Sequence, residues 1–204
     1  MHDVKVKSNM PQLTSHSSRP KAPQRIVNGA RDCFARLGID KATITDIADA
    51  AGYTRPVIYK HFNDKADIVD SVCLEEMQIL QERLYTRVDR NLGYADQLAE
   101  AILQGVLLAH DNPYIQRFMQ DRDTWVRSQS EGGKVHVWVR DRWTSFLKRG
   151  LTDGHLAADL DVEQTVTWIS MVQSLLLLRH ASEDMDEPAM REFVRRFVVR
   201  SLLA

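Results

Sequence analysis

Apolar residues recur at helical spacing along most of this chain, and this periodicity restricts its fold more than any other feature. From Gln24 onward, apolar side chains return every three or four residues, and each series ends at a break that contains glycine, proline or asparagine. No stretch shows the sustained alternation of a strand, and no long internal repeat stands out. The pattern predicts an all-α fold of about nine helices, over the ranges 24–37, 43–51, 54–62, 64–84, 95–110, 113–127, 133–152, 162–181 and 187–203.

Composition excludes several classes of protein. The 204 residues are 44% apolar and 27% charged, which is ordinary for a globular chain and excludes collagen, general disorder and a disulfide-rich miniprotein. Residues 1–20 hold no apolar core of the kind a signal peptide needs. The longest apolar stretch, Trp168 to Leu178, is shorter than the roughly 20 residues of a membrane span. We therefore expect a cytoplasmic protein.

A net charge of −1 hides an uneven distribution of charge. Residues 1–65 carry a net charge of +5, and the remainder carries −6. A basic segment on an acidic body indicates contact with a polyanion, although chance asymmetry is the alternative. Residues 1–22 lack periodicity and are predicted to form a disordered basic arm, which either follows a DNA minor groove or stays solvated.

Residues 43–62 have the pattern of a helix-turn-helix. Two short predicted helices meet at Ala51-Gly52-Tyr53, where a glycine can adopt a backbone conformation that other residues resist. The second helix presents Thr54, Arg55, Lys60 and His61 outward, as a helix in the major groove of DNA would. Helix pairs with a glycine turn also occur in proteins that never touch DNA, so spacing alone leaves both interpretations open.

The run from Thr43 to Lys65, TITDIADAAGYTRPVIYKHFNDK, resembles the DNA-binding segment of TetR-family (tetracycline-repressor-like) transcriptional regulators. The shared features are a threonine before the first helix, Ile-Ala-x-x-Ala-Gly, Tyr-x-x-Phe in the second helix and a lysine two residues after Asn63. The resemblance covers roughly residues 24–72. It implies a helix-turn-helix DNA-binding domain over residues 23–68 and a helical effector-binding and dimerisation domain over residues 69–204.

The resemblance also implies roles for single residues. Thr43 and Thr45 would contact phosphate, as would Tyr59, His61 and Lys65. Thr54, Arg55, Val57 and Lys60 would face the bases or the adjoining backbone. Tyr59 can alternatively pack against the first helix, and His61 can simply face solvent. Val57 stands where the family often has a small hydroxyl residue, so the operator sequence cannot be transferred from relatives.

The last two predicted helices carry strong apolar faces. The helix over 162–181 is apolar around most of its circumference, which requires burial both in its own subunit and against something else. We expect a homodimer through a four-helix bundle, as the resemblance also implies, with one larger monomeric core as the alternative. The expected interface residues are Val172, Leu176, Phe193 and Phe197.

Aromatic and methionine side chains are frequent between residues 94 and 171. In a family that binds small molecules in this region, some of them would line an apolar pocket, while most would be ordinary core. The expected ligand-binding residues are His110, Phe118, Trp125, Trp138, Trp168 and Met171.

Enzymatic motifs are absent from the sequence. No phosphate-binding glycine loop or serine nucleophile elbow occurs, and no two histidines lie three or four residues apart. Cys33 and Cys73 fall on or beside apolar faces and are expected to be inert core thiols. We therefore expect that the protein is not an enzyme and that it binds neither a cofactor nor a metal. The prediction is a TetR-like repressor that binds palindromic operator DNA as a homodimer and is released by an apolar or amphipathic small molecule. The alternative is a constitutive DNA-binding protein without an effector.

Overall fold

The computed structural model describes residues 21–129, 132–182 and 185–204. Ten α-helices form in these ranges, and a π-helical segment, Val194–Val199, continues the last one. The helices are α1 (Ala22–Leu37), α2 (Ile44–Ala51), α3 (Arg55–His61), α4 (Lys65–Arg87), α5 (Tyr94–His110), α6 (Pro113–Gln120), α7 (Arg122–Gln129), α8 (Lys134–Thr152), α9 (Val162–Ala181) and α10 (Glu187–Phe193).

The all-α prediction is confirmed. Within the described ranges, pairing of extended backbone is limited to one antiparallel bridge between Leu156 and Leu203. None of the described helices is long and apolar enough to span a bilayer. Residues 1–20 of the predicted basic arm lie outside the described residues.

Side-chain caps fix where several helices begin. Asp64 accepts a hydrogen bond from the backbone N–H of Asp67 at the start of α4. Asn112 accepts from two N–H groups at the start of α6, and Asp161 and Asp186 cap α9 and α10. Each of these acceptors satisfies backbone donors that a helix leaves unpaired in its first turn. The caps explain why most helix starts agree with the sequence prediction.

The single helix predicted over 113–127 is divided at Asp121. The backbone of Asp121 is extended, with φ −85° and ψ 102°. Its carboxylate accepts a hydrogen bond from the backbone N–H of Thr124 at 2.7 Å. Aspartate competes with the helix by bonding to nearby N–H groups, so it ends α6 and begins α7 although the apolar spacing continues.

Two buried cores lie along the molecule and meet on α4. The first core joins α1, α2, α3 and the first turns of α4, with Phe118 of α6 packed into it. The second core joins α5, α8, α9 and α10, with Leu80 from the second half of α4. Because α4 contributes to both cores and Phe118 reaches from α6 into the first, packed side chains connect the body to the helix-turn-helix.

Candidate nucleic-acid interface and ligand cavity

The turn between α2 and α3 is held from behind by α1. Gly52 adopts a left-handed conformation, with φ 69° and ψ 40°. Arg25 donates to the backbone carbonyl of Ala51 at 2.9 Å and to the hydroxyl of Tyr53 at 3.2 Å, and its guanidinium lies 4.6 Å from the Tyr53 ring centroid. Nothing in the spacing of apolar residues indicated this role for Arg25.

A second close approach sets the distance between α1 and α2. A Cβ atom added to Gly29 would lie 2.8 Å from the backbone nitrogen of Ala51. Only a residue without a side chain lets the two backbones come this close. Gly29 and Arg25 together fix the orientation of the helix-turn-helix on α1.

The outer face of α3 carries the side chains that the sequence predicted to face outward. Ile58 is fully buried and Phe62 is nearly so, and these residues turn the opposite side of the helix toward solvent. Val57 is half-buried, and Thr45 is exposed on α2. Tyr59 is 49% exposed rather than packed against α1. The exposed residues of the α3 segment are Thr54, Arg55, Pro56, Tyr59, Lys60 and His61.

Thr43 is occupied as the N-cap of α2. Its hydroxyl donates to the Asp46 carboxylate at 2.6 Å and accepts from the Asp46 N–H at 3.2 Å. The backbone N–H of Thr43 also donates to that carboxylate, which completes a capping box. These hydrogen bonds from Thr43 lower the pKa of Asp46. A phosphate contact through the Thr43 hydroxyl would therefore have to share it with the cap.

Lys65, which was expected to contact phosphate, has a structural role in this fold. Its ammonium group donates to the carbonyl oxygens of Ile39 at 2.7 Å, Asp40 at 3.1 Å and Ala42 at 3.0 Å. A lysine has three N–H donors, and these three carbonyls use all of them. Lys65 thus ties the start of α4 to the loop between α1 and α2, and a family-based interpretation of the residue type could not reveal this.

A cavity of about 1590 Å³ lies between α4, α5, α8 and α9. Of the residues expected to bind a ligand, Phe118, Trp138 and Met171 line it. His110 does not: its ring packs on that of His180, with centroids 4.4 Å apart, and it lies 3.3 Å from the Gln116 amide. Trp168 is 43% exposed and is not part of the wall. The side chain of Trp125 lies outside the described residues.

Tyr94 is a cavity residue that the sequence prediction did not assign to ligand binding. Its hydroxyl donates to the Phe146 carbonyl at 3.3 Å, and its ring stacks on Phe146 and His155. Burial raises the pKa of Tyr94 to about 12, so the phenol stays protonated. A Cβ atom at Gly150 would lie 2.2 Å from the Tyr94 side chain. The glycine in the last turn of α8 is therefore the one sequence signal for this close contact.

The outer surface of α9 differs from the predicted interface. Val172 and Leu176 are only 3% and 2% exposed, because they face the core of their own chain. Phe193 is half-buried and packs against the exposed Phe197, with ring centroids 5.3 Å apart. The exposed apolar stripe of α9 consists of Trp168, Met171, Leu175 and Leu178. Since α9 is apolar on nearly every side, its sequence could not tell which face is the inner one.

A buried carboxylate joins the helix-turn-helix to the body. Glu76 of α4 is 4% exposed, and its carboxylate lies 2.8 Å from the Arg31 Nε of α1. The other oxygen accepts from the Asn112 amide at 2.9 Å. Arg31 also pairs with Glu75 at 2.9 Å, and Arg117 of α6 donates to the Phe34 carbonyl of α1. The α1–α4–α6 junction is therefore polar as well as packed.

The two cysteines and the acidic residues show no sign of a reactive or metal site. Cys33 and Cys73 are buried as free thiols, and desolvation raises the pKa of both. Thiols in this environment stay protonated at neutral pH. No cluster of three or more metal-ligating side chains occurs within the ranges that the structure describes.

A family model for bacterial regulatory proteins of the tetR family matches residues 26–72, which cover the turn and both of its helices. The resemblance to the TetR family is thus confirmed for this segment of the chain. The HTH-type transcriptional regulator SrpR of Pseudomonas putida is 28% identical over 150 residues, which cover 70% of this chain and 67% of SrpR. The HTH-type transcriptional repressor KstR2 of Mycobacterium tuberculosis is 27% identical over 153 residues, which cover 68% of this chain and 74% of KstR2.

Solved structures of TetR-like regulators have the same all-helical fold. FadR of Bacillus halodurans aligns with a TM-score of 0.63 at 17% identity, covering 89% of this chain and 96% of that one. FadR of Bacillus subtilis, solved in complex with stearoyl-CoA, aligns with a TM-score of 0.61 at 19% identity, covering 86% and 97%. These alignments show that the chain shares its fold with both regulators.

Proposed function

We propose that this TetR-family regulator is a homodimeric repressor that binds a palindromic operator and is released by an apolar or amphipathic small molecule. The observation that carries the proposal is the exposed face of α3. Five polar side chains of the α3 segment are exposed, and Arg25 and Gly29 hold the turn behind them in place. A helix presented in this way fits the major groove of DNA, with its first residues at the base edges.

Arg55 is the residue we propose for base recognition. It stands at the start of α3, it is exposed, and among the described residues no carboxylate pairs with it. An arginine in this position can donate two hydrogen bonds to a guanine edge. Thr45, Tyr59 and His61 are exposed as well and carry donors suited to phosphate oxygens.

A second copy of the chain is the proposed cover for the exposed stripe of α9. Trp168, Met171, Leu175 and Leu178 are spaced by three or four residues, and each is 43–62% exposed. Phe197, on the π-helical segment near the C-terminus, is a further exposed apolar side chain, with 57% of its surface accessible. A contiguous apolar patch of this kind on a soluble regulator marks an interaction site. Met171 and Leu175 of this stripe are the exposed neighbours, in sequence, of the buried Val172 and Leu176.

A variant tests the dimer. Leu175→Asp places an unpaired carboxylate in the proposed interface, whereas Val126→Asp makes the same change at a 60% exposed position on α7. Sedimentation velocity should show a monomer for Leu175→Asp and an unchanged dimer for Val126→Asp. A wild-type chain that sediments as a monomer at micromolar concentration contradicts the proposal.

The cavity supports the effector part of the proposal. Its volume exceeds the roughly 300–1,000 Å³ of most ligand sites and is ample for a long apolar molecule. Phe118 both lines the cavity and packs into the core of the helix-turn-helix, so a ligand that displaces it disturbs α1 and α4. The complex of Bacillus subtilis FadR with stearoyl-CoA shows that a regulator of this fold holds an amphipathic molecule.

The DNA contact is tested with Arg55→Ala on an operator enriched by the wild-type protein. Loss of a bidentate guanine contact should cost about 1–3 kcal/mol and relax specificity at one base pair of each half-site. Arg83→Ala removes the same charge from an exposed site on α4 and should leave the affinity within twofold. Fluorescence anisotropy against operator variants measures both. Equal loss for the two variants, or no loss for Arg55→Ala, removes Arg55 from base recognition.

A further inference from the structure

We infer that the effector is an anionic amphiphile, whose carboxylate or phosphate is held at the mouth of the cavity by Arg142 and Arg149 while its apolar part fills the interior. This inference rests on the proposed effector-binding function and assigns the chemical class of the ligand to that same cavity.

The first observation is a local reversal of charge. Residues 66–204 carry a net charge of −6, so an average surface of the body is acidic. The cavity wall and rim instead contain four arginines and two histidines, against only two carboxylates, Asp153 and Glu163. The basic residues are Arg90, His136, Arg140, Arg142, Arg149 and His155. Positive charge concentrated at the opening of a cleft attracts an anionic ligand.

The second observation is how these arginines are partnered. Some arginines elsewhere in the body pair with carboxylates, as Arg127 does with Asp70 at 3.0 Å and Arg195 with Asp96 at 2.7 Å. In the described part of the chain, Arg90, Arg142 and Arg149 form no such pair, and Asp153 and Glu163 form no ion pair with them either. Arg140 lies 3.5 Å from its neighbour Asp141 and is therefore not part of the proposed site.

Aromatic rings hold the two arginines in place. The Arg142 guanidinium lies 5.3 Å from the Trp138 ring centroid, and that of Arg149 lies 5.1 Å from Phe146. All four residues are on α8, at positions that fall on one side of a helix, and all four line the cavity. A guanidinium over a ring face keeps its N–H groups available in its own plane, where they can bind a carboxylate or phosphate in a bidentate manner.

The apolar part of the site lies next to these arginines. Trp143 and Phe146 of α8, Met77 of α4 and Leu177 of α9 all belong to the cavity wall. A ligand with a long apolar chain and one anionic end therefore matches the arrangement, because the chain avoids water while the charge stays at the opening. A cationic amphiphile would instead meet the arginines, and like charges repel.

Four ligands with the same chain test the inference: dodecanoate, dodecyl phosphate, dodecanol and dodecyltrimethylammonium, each below its micelle concentration. Quenching of the tryptophan fluorescence gives the binding affinity, since Trp138 and Trp143 line the cavity. Both anions should bind at least about tenfold more tightly than dodecanol, and the cation should bind most weakly. A stronger preference for the phosphate over the carboxylate would assign the anion to a phosphorylated ligand, and the reverse to a fatty acid.

The double variant Arg142→Gln, Arg149→Gln should reduce the preference for the anions over dodecanol to less than about twofold and leave dodecanol binding unchanged. The control Lys148→Gln removes a charge from an exposed position on the same helix outside the cavity and should keep the preference. Equal binding of dodecanol and the anions, a preference that survives in the double variant, or no binding of either anion overturns the inference. If dodecanol binds as well as the anions and releases operator DNA, the effector-responsive function stands and only the anionic class is wrong.

Discussion

Replacing Lys65 by methionine separates a structural role from a DNA contact. Methionine keeps most of the apolar stem but removes the ammonium group that bonds to three carbonyl oxygens of the loop between α1 and α2. A hydrogen bond to a charged group contributes about 1.5–3 kcal/mol when shielded. The bonds to Ile39 and Ala42 are partly buried and that to Asp40 is exposed. Because water can hydrogen-bond to the freed carbonyl oxygens in the variant, we expect the free energy of unfolding to fall by only about 2–3 kcal/mol in total.

Urea denaturation followed by circular dichroism measures the stability, and anisotropy titrations over a range of salt concentrations measure DNA binding. A phosphate contact contributes close to one unit to the slope of log affinity against log salt. Because all three N–H donors of its ammonium bond to protein carbonyls, we expect Lys65→Met to lower the stability and leave this slope unchanged. Lys60→Met, at an exposed position on α3, should instead reduce the slope and leave the stability unchanged. A Lys65→Met protein of wild-type stability with a reduced salt slope would refute the structural role and restore the phosphate contact.

Three further changes probe the junction and the turn. Glu76→Gln should destabilise the protein by about 1–3 kcal/mol, as measured by urea denaturation. This is less than the cost of breaking an isolated buried ion pair, because Arg31 still pairs with Glu75. Gly29→Ala should force α1 and α2 apart and weaken operator binding, whereas Gly93→Ala, where an added Cβ has open space, should leave the anisotropy titration unchanged. Thr43→Val should raise the pKa of Asp46 in an NMR titration, because the hydrogen bonds from Thr43 lower that pKa in the folded protein. The stability that the lowered pKa contributes is present above about pH 4 and is lost as the pH falls through the pKa of the folded state. An unchanged pKa of Asp46 would assign the lowering to another group.

The helical fold was predictable because its signals are local. Capping residues such as Thr43 and Asp161 and the break at Gly52 act on neighbouring backbone, so they can be identified in the sequence without knowledge of tertiary contacts. Asp121 shows the limit of the apolar pattern, since a cap within a continuous apolar series divides one predicted helix into two.

The site was predictable only in part because its decisive contacts are long-range. The outward face of α3 followed from helical spacing, and Phe118, Trp138 and Met171 do line a cavity. In contrast, the bonds of Lys65 to residues 39–42 join distant parts of the chain. The inner face of α9 depends on which neighbours cover it, so Leu176 was assigned to the surface that Leu175 occupies.

Selection of DNA from a random duplex pool by the purified full chain shows whether it is a dimeric operator-binding repressor. A two-fold-symmetric sequence should be enriched, with half-sites separated by one or more helical turns and with one copy of the chain bound to each half-site. Arg55→Ala should relax selection at the same base pair in both halves. Enrichment of an asymmetric site, binding by a single copy, or no enrichment above the starting pool would contradict a dimeric operator-binding repressor.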